Sequence, residues 1–419
     1  MRKTMRRRTS CGIVQKTARH ALFLGALVLA FTTAISSAVA APAPAPEADP
    51  FYSTPADLGA HQSGDPLAWR SVKLFGLSTP LPITVWQIQY LTTDSENKPI
   101  TTIATVIEPT APWRGAGPRP LVAFASAEDA LTTACAPSAT LRAPININSQ
   151  TTLDLPFLAG PLLLGYALVI PDYEGPQSRF LDGVMSGRAL LDGIRAARRF
   201  PSTGLANSPT GIWGYSGGAY AALWAGQLRA TYAPELPLTG IAAGGIPADI
   251  PAIARAADGG PKAALALLIT AALIRNEPKA KIEVLLNKRS TGMLADVGKR
   301  CGTGLLQTYS GTHVRDYSLA ADLFAHPTIV AAAQRQELGS ITPDVPLYLY
   351  HSNADEMIPA PGVHALINRY CSMGSTLTQH FSNIPGHSGA AMVEAVGALR
   401  YLGDRFASGP PTRGCAAAS

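Results

Sequence analysis

The sequence predicts an α/β protein with a mostly parallel central sheet and one helical segment inserted before its last strands. Two runs rich in β-branched residues, 83–91 and 100–107, flank a short polar turn and predict an opening antiparallel pair. Further strand-like runs then alternate with helical stretches, as in a parallel sheet covered on both faces. Between residues 247 and 340 helical patterns dominate instead. With 47% hydrophobic and 15% charged residues, the 419-residue chain is suited to a large core.

The first forty residues predict an export signal. They contain seven Lys and Arg residues and no acidic residue, then an apolar run over 21–31, and end in the small-x-small sequence Ala38-Val39-Ala40. The apolar run is too short for a bilayer span, which favours a signal peptide over a membrane anchor. The arginines at positions 6–8 hint at twin-arginine export, but the rest of that motif is missing. We therefore expect a secreted, extracellular protein.

Removal of residues 1–40 changes the charge balance. The whole chain has 34 basic and 28 acidic residues, so the remainder has 27 basic and 28 acidic residues, a net charge of −1. The basic character thus belongs to the export signal and gives no support to a nucleic-acid partner.

Four cysteines remain after the signal: Cys135, Cys301, Cys371 and Cys415. An even number in an exported protein indicates two disulfides, with three possible pairings, and free buried thiols are the alternative. No C-x-x-C pair or His-rich cluster is present, so we expect no metal site among these cysteines. The Pro/Ala tract at 41–50 predicts a short extended linker.

The later elements alternate as a parallel sheet requires. The predicted strands cover residues 121–126, 167–171, 211–215, 241–243, 347–351 and 377–381. The predicted helices outside residues 247–340 cover 186–199, 219–232 and 390–399. The core domain is therefore expected over residues 51–246 and 341–419.

A nucleophile elbow is the strongest local signal. Residues 214–218 (GYSGG) match G-x-S-x-G, follow a predicted strand and precede a predicted helix, as in the α/β-hydrolase fold. Glycines beside Ser216 allow the strained turn that lifts its hydroxyl off the sheet. The amides that follow begin a helix and can stabilise an oxyanion. An ordinary glycine turn is the alternative.

A nucleophilic serine needs a base that is oriented by a carboxylate. In this fold the acid follows the serine along the chain, and the histidine follows the acid. Asp355 lies just past the strand at 347–351, with Glu356 as its neighbouring competitor. His387 lies in a glycine-flanked loop after the strand at 377–381. Three histidines near these strands, His351, His364 and His380, fit the order or the loop position less well. The second oxyanion donor, from the loop at 125–130, cannot be chosen from these residues alone, because no HGGG-type run is present.

The segment at 247–340, here called the helical insertion, lies after the nucleophile and before the acid. Helical patterns cover residues 252–257, 261–274 and 281–286, and the run 263–274 is almost wholly apolar. This apolar run predicts either a buried core helix or part of a cap that lines an apolar acyl pocket. Its position in the chain favours the cap, or lid.

From about residue 80 onward the sequence resembles the secretory lipase family typified by the Candida lipase A type. The matching segments are 128–129 (ED), 135–138 (CAPS), 171–175 (PDYEG), 191–195 (LDGIR), 214–218 (GYSGG), 232–236 (YAPEL) and 244–247 (GGIP), together with the acid and base segments. The resemblance implies an oxyanion hole made of the backbone amides of Asp129 and Gly217. It also implies the disulfides Cys135–Cys301 and Cys371–Cys415, and a lid after Pro247. Hydrolysis of triacylglycerols and simpler esters without a metal or a cofactor is a further implication. The chain ends soon after Cys415 and lacks the family's long C-terminal flap, which leads us to expect a more open, more esterase-like site.

Together these features predict a secreted serine ester hydrolase, a triacylglycerol lipase acting through Ser216, His387 and Asp355. Its expected partner is a lipid or small-molecule ester, with at most transient contact with a lipid interface, and we expect a monomer. A short-chain carboxylesterase or polyesterase would use the same triad with a different pocket, and an acyltransferase would pass the acyl group to an alcohol. A non-catalytic secreted binding protein is the alternative from another class.

Overall fold

The computed structural model describes residues 43–76, 81–145, 150–411 and 414–417, so the predicted signal peptide lies outside it. A ten-stranded sheet forms the centre of this described part. Its strands are β1 (Pro66–Ser71), β2 (Ile83–Thr93), β3 (Pro99–Pro109), β4 (Leu121–Ala125), β5 (Ala167–Pro171), β6 (Thr210–Tyr215), β7 (Leu238–Gly244), β8 (Leu347–Ser352), β9 (Leu377–Ser382) and β10 (Cys415–Ala417).

The sheet order is β1-β2-β3-β5-β4-β6-β7-β8-β9-β10. The pairs β1–β2, β2–β3 and β3–β5 are antiparallel, and every pair from β5 to β10 is parallel. The prediction of a mostly parallel sheet that opens with an antiparallel pair is therefore confirmed. Strands β4, β5, β6 and β8 are buried along their whole length, which requires helices on both faces.

Helices cover both faces of the sheet. They are α1 (Pro137–Thr140), α2 (Gln150–Leu163), α3 (Gly183–Arg199), α4 (Gly217–Tyr232), α5 (Ile250–Ala257), α6 (Ala263–Asn276), α7 (Ser290–Val297), α8 (Gly302–Thr308), α9 (Pro327–Arg335), α10 (Ala360–Ser372) and α11 (His387–Phe406). Side chains of β4 alternate between two cores: Ala123 packs with α3 and α4, whereas Phe124 packs with α2 and α11. This two-sided cover holds the strand ends rigidly in place.

The helical insertion connects β7 to β8 and contains α5 to α9. Its described residues form no sheet strand, only one isolated bridge between Leu286 and Ser318. The apolar helix begins at Ala263 rather than 261, and the helix expected at 281–286 is a 3-10 turn, Ile282–Leu285. Within the described ranges, no helix has both the length and the apolar character needed to cross a bilayer.

Hydrogen bonds and a disulfide attach the insertion to the core. Arg275 Nη1, near the end of α6, donates to the carbonyl oxygens of Leu131 at 2.9 Å and Ser178 at 3.0 Å. A disulfide joins Cys135 in the core to Cys301 in the insertion. The second disulfide, Cys371–Cys415, holds the edge strand β10 beside β9. Both pairings are those implied by the resemblance.

The N-terminal tract packs onto the core. Two 3-10 turns, Pro46–Ala48 and Pro50–Tyr52, follow residue 43, and Asp49 between them is buried. Its carboxylate makes ion pairs with Arg70 at 2.8 Å and Arg142 at 3.1 Å. The extended linker expected at 41–50 is thus replaced by packed turns in its second half, because this carboxylate has two cationic partners on the core.

Candidate active site

Ser216 occupies the turn between β6 and α4 with φ 57° and ψ −127°, a backbone conformation that is strained for a non-glycine residue. Its amide donates to the Gly244 carbonyl oxygen of β7 at 2.9 Å. A Cβ atom at Gly214 would lie 2.2 Å from the Gly218 carbonyl oxygen, and one at Gly218 would lie 1.8 Å from that of Ala125. Glycine is therefore required at both positions for the serine to keep this conformation.

His387 is the first residue of α11, where the sequence predicted a loop before the helix. Its Nδ1 atom lies 2.7 Å from Asp355 Oδ2, just past the end of β8. Asp355 Oδ1 accepts the backbone N–H groups of Met357 and Ile358, both at 2.9 Å. The carboxylate is thus fixed by the main chain, and Nε2 of the neutral imidazole is left as the basic nitrogen.

The ionisation of Asp355 follows from these contacts. Burial raises its pKa, but the hydrogen bond and charge of His387, together with the two backbone amides, outweigh that effect. The pKa of Asp355 therefore lies below its ordinary value, and the residue stays a carboxylate through the neutral and mildly acidic range.

The rival histidines have other partners. His351 is buried, and its Nε2 atom lies 3.1 Å from the Ile358 carbonyl oxygen. His380 pairs with Glu394 at 3.0 Å, and His364 stacks on an aromatic ring of β9 at a centroid distance of 4.0 Å. Of these four histidines, only His387 is hydrogen-bonded to Asp355.

Tyr215 also contacts His387, which the sequence did not predict. Its hydroxyl donates to the His387 carbonyl oxygen at 2.8 Å, and the two rings lie 4.9 Å apart. The tyrosine therefore contacts both the backbone and the imidazole of His387. Its position, directly before the serine in the elbow motif, was the available signal.

Asp129 lies beside the elbow with φ 42°, again a strained value. Its Oδ1 atom is buried and has no hydrogen-bond partner among the described residues. Burial raises the pKa of Asp129 to about 6, against the charge of His387, which lowers it. A Cβ atom at Gly217 would lie 2.2 Å from this same oxygen. The two residues named by the resemblance are thus in close contact, although residue chemistry alone did not identify Asp129.

We expect Gly217→Ala to lower kcat by about 10²-fold, the cost of disturbing one oxyanion donor. The added methyl group would clash with the buried Oδ1 atom of Asp129, and the displacement of this side chain would disturb the residue that the resemblance names as the other donor. Gly292→Ala on α7 is the matched control, since a Cβ atom there meets open space. The measurement is kcat on a soluble ester, with thermal unfolding to check stability. An unchanged kcat would separate Asp129 from the oxyanion hole.

Ser216 opens into a small cavity of about 30 Å³. Apart from Asp129, its lining has no acidic or basic side chain, and the helical insertion supplies one wall. The lining residues are Asp129, Phe180, Leu181, Ser216, Gly217, Pro247, Ile250, Ile253, Leu265, Ile269, Met357 and Ile358. Such a space suits a small apolar group attached to the reacting carbonyl carbon.

A larger cavity of about 390 Å³ lies between the N-terminal turns and strands β2 and β3, and it includes Asp172. Ser216 lines the smaller cavity and does not line this one. No group of three or more His, Cys, Asp or Glu side chains within the described ranges is arranged to hold a metal ion.

The sheet is mostly parallel and carries a strained serine at a strand-to-helix turn. A histidine–carboxylate pair follows later strands. These features define an α/β hydrolase. The model of the secretory lipase family matches residues 140–414. Lipase 10 of Candida albicans is 32% identical over 411 residues, which cover 93% of this chain and 87% of that protein. A Mycobacterium tuberculosis protein named probable inactive lipase MT1628 is 31% identical, covering 88% of this chain and 84% of that protein.

The structure is also similar to Candida antarctica lipase A in its closed state. The TM-score is 0.81 at 28% identity, over 90% of this chain and 89% of that one. The chain belongs to the secretory lipase family, and it is a secreted carboxylic ester hydrolase that acts on lipid or other ester substrates.

Proposed function

We propose that the protein cleaves carboxylic esters by two-step acyl transfer, with Ser216 as nucleophile, His387 as base and Asp355 as the orienting acid. The observation that carries this proposal is the 2.7 Å contact between His387 Nδ1 and Asp355 Oδ2, in a fold whose strained elbow carries the serine. This pairing holds the imidazole in the tautomer that accepts a proton on Nε2.

In the first step His387 takes the hydroxyl proton as Ser216 attacks the ester carbonyl carbon, giving a tetrahedral oxyanion. The bond to the alkoxide oxygen breaks as His387 returns the proton to it, so an alcohol leaves and an acyl-enzyme remains. Water then attacks by the same route and releases the acid. The amides of Asp129 and Gly217 hold the oxyanion in both steps, as the contact between the two residues supports.

We propose further that the helical insertion acts as a cap over a core formed by residues 51–246 and 341–419. Ile250 and Ile253 of α5, with Leu265 and Ile269 of α6, close the cavity at Ser216. About 30 Å³ holds two or three water-sized groups, which fits a short acyl chain but not a long one. Cleavage of long-chain triacylglycerols then requires the cap to move, and transient contact of a monomer with a lipid surface is the proposed cause.

The test is hydrolysis of p-nitrophenyl esters from acetate to palmitate, beside an emulsified long-chain triacylglycerol. We expect dissolved short-chain esters to be cleaved at least about tenfold faster than dissolved long-chain ones. Addition of an emulsion surface should raise only the long-chain rates. Equal rates at all chain lengths without a surface would contradict the closed cap. Absence of hydrolysis throughout would contradict the enzyme proposal and favour a non-catalytic binding protein.

A further inference from the structure

Glu356, the neighbour of the orienting acid, contacts the base from the main-chain side. Its Oε2 atom accepts the backbone N–H of His387 at 2.7 Å. Its Oε1 atom lies 3.9 Å from Nζ of Lys262, directly before α6 of the helical insertion. The side chain is half exposed, so it stays hydrated while it makes both contacts.

The backbone N–H of His387 is among the first amides of α11, which lack partners inside the helix. The residue before it, Gly386, has no side chain with which to cap the helix. A Cβ atom there would come within 3.6 Å of Glu356 Oε2. Glu356 therefore supplies the cap from another segment, at close range.

That segment is the turn that carries Asp355. Two consecutive carboxylates thus bind one histidine at two points, Asp355 at the imidazole and Glu356 at the backbone. Fixing both the ring and the main chain restricts where Nε2 lies relative to Ser216, and small displacements of a base are costly to catalysis. A helix cap alone would not need to come from the acid-bearing turn.

We propose that Glu356 is a positioning residue for His387, and that Lys262 couples this contact to the helical insertion. The inference rests on the proposed function, because it takes His387 as the base. A glutamine at this position keeps an oxygen acceptor for the amide but loses the charge, whereas an alanine loses both.

Several charged or titratable groups face His387 and Glu356 from the surrounding elements. They are Asp355 in the same turn, Asp129 in the loop after β4, Tyr215 at the end of β6, His351 in β8 and Lys262 in the insertion. A carboxylate stabilises the imidazolium form of the base, and a nearby lysine destabilises it. Removal of Glu356 and removal of Lys262 should therefore shift the acid limb of the pH–rate profile in opposite directions.

The experiment compares kcat/KM against pH for wild type, Glu356→Gln, Glu356→Ala and Lys262→Met. Glu96→Gln is the control for loss of one carboxylate, since Glu96 pairs with Lys98 in the turn between β2 and β3. We expect Glu356→Gln to stay within about threefold of wild type at its plateau, with the acid limb lower by about half a pH unit. Lys262→Met should move that limb upward, and Glu356→Ala should lower kcat by about tenfold with little change in KM.

The low-field proton resonance of His387 Nδ1–H reads the same contact without turnover. It should persist in Glu356→Gln and weaken or shift in Glu356→Ala. An active wild type whose variants all overlay it in pH profile and resonance would overturn the positioning role. A wild type with no activity would overturn the proposed function, while the resonance would still report whether Glu356 fixes the histidine.

Discussion

Ser216→Ala is expected to abolish ester hydrolysis, lowering kcat by about 10⁶-fold, the loss typical for removal of a serine nucleophile. The acyl-enzyme cannot form without the hydroxyl, and the neighbouring amides and base give only weak residual catalysis. The fold should survive, because the contacts that fix the elbow are made by the backbone and by Gly214 and Gly218. The measurement is kcat on p-nitrophenyl butyrate, together with covalent labelling by a fluorophosphonate.

Ser408→Ala is the matched control. Ser408 also has a positive φ, 59°, and lies just past the C-terminal end of α11. Both substitutions place alanine at a positive φ, so they should affect thermal unfolding similarly while differing entirely in activity and labelling. Labelling that persists in Ser216→Ala would assign the nucleophile to another residue.

The fold class followed from the sequence because strand and helix periods alternate clearly in the parallel half of the chain. The two edge strands of the sheet and one helix could not be predicted from the sequence. Strand β1 mixes polar and apolar residues without clear alternation, and β10 has only three residues, held by the Cys371–Cys415 disulfide. Helix α2 contains Pro156 and Pro161, which interrupt the local helical signal. In each case tertiary contacts, rather than local preference, determine the element.

Some residues of the candidate site could likewise be predicted from the sequence, and others could not. Ser216, Asp355 and His387 stand at strand ends in the order the fold requires, so the sequence could nominate them. Asp129 has no local signature, because its proposed role depends on a positive φ and on contact with Gly217, which follows the neighbouring strand β6. Glu356 and Asp355 were also indistinguishable by spacing. Only the hydrogen bonds separate them, one to the ring of His387 and one to its backbone.

Asp355→Asn is expected to lower kcat by about 10⁴-fold. The amides of Met357 and Ile358 donate to Oδ1 of Asp355, so the carbonyl oxygen of an asparagine would take that place. Its NH₂ group would then face Nδ1 of His387 and hold the proton of the neutral imidazole on Nε2. That tautomer cannot accept the Ser216 proton, and the imidazolium would also lose its counter-charge.

The lowered pKa of Asp355 adds a second readout, the pH dependence of stability. Folding favours the ionised form, so the stabilisation is present above the unfolded-state pKa and is lost as pH falls through the folded-state pKa. The melting temperature of Asp355→Asn should therefore fall short of wild type at neutral pH, and the gap should close in strong acid.

Glu356→Gln is the matched comparison, one position further along the same turn. We expect it to lower the rate by about threefold, against about 10⁴-fold for Asp355→Asn. The difference would separate a carboxylate that must be charged beside the ring nitrogen from one that only accepts a backbone hydrogen bond. A reversal of these magnitudes would make Glu356 the orienting acid, and the 2.7 Å contact between Asp355 and the imidazole would then be a resting arrangement that the reaction does not use.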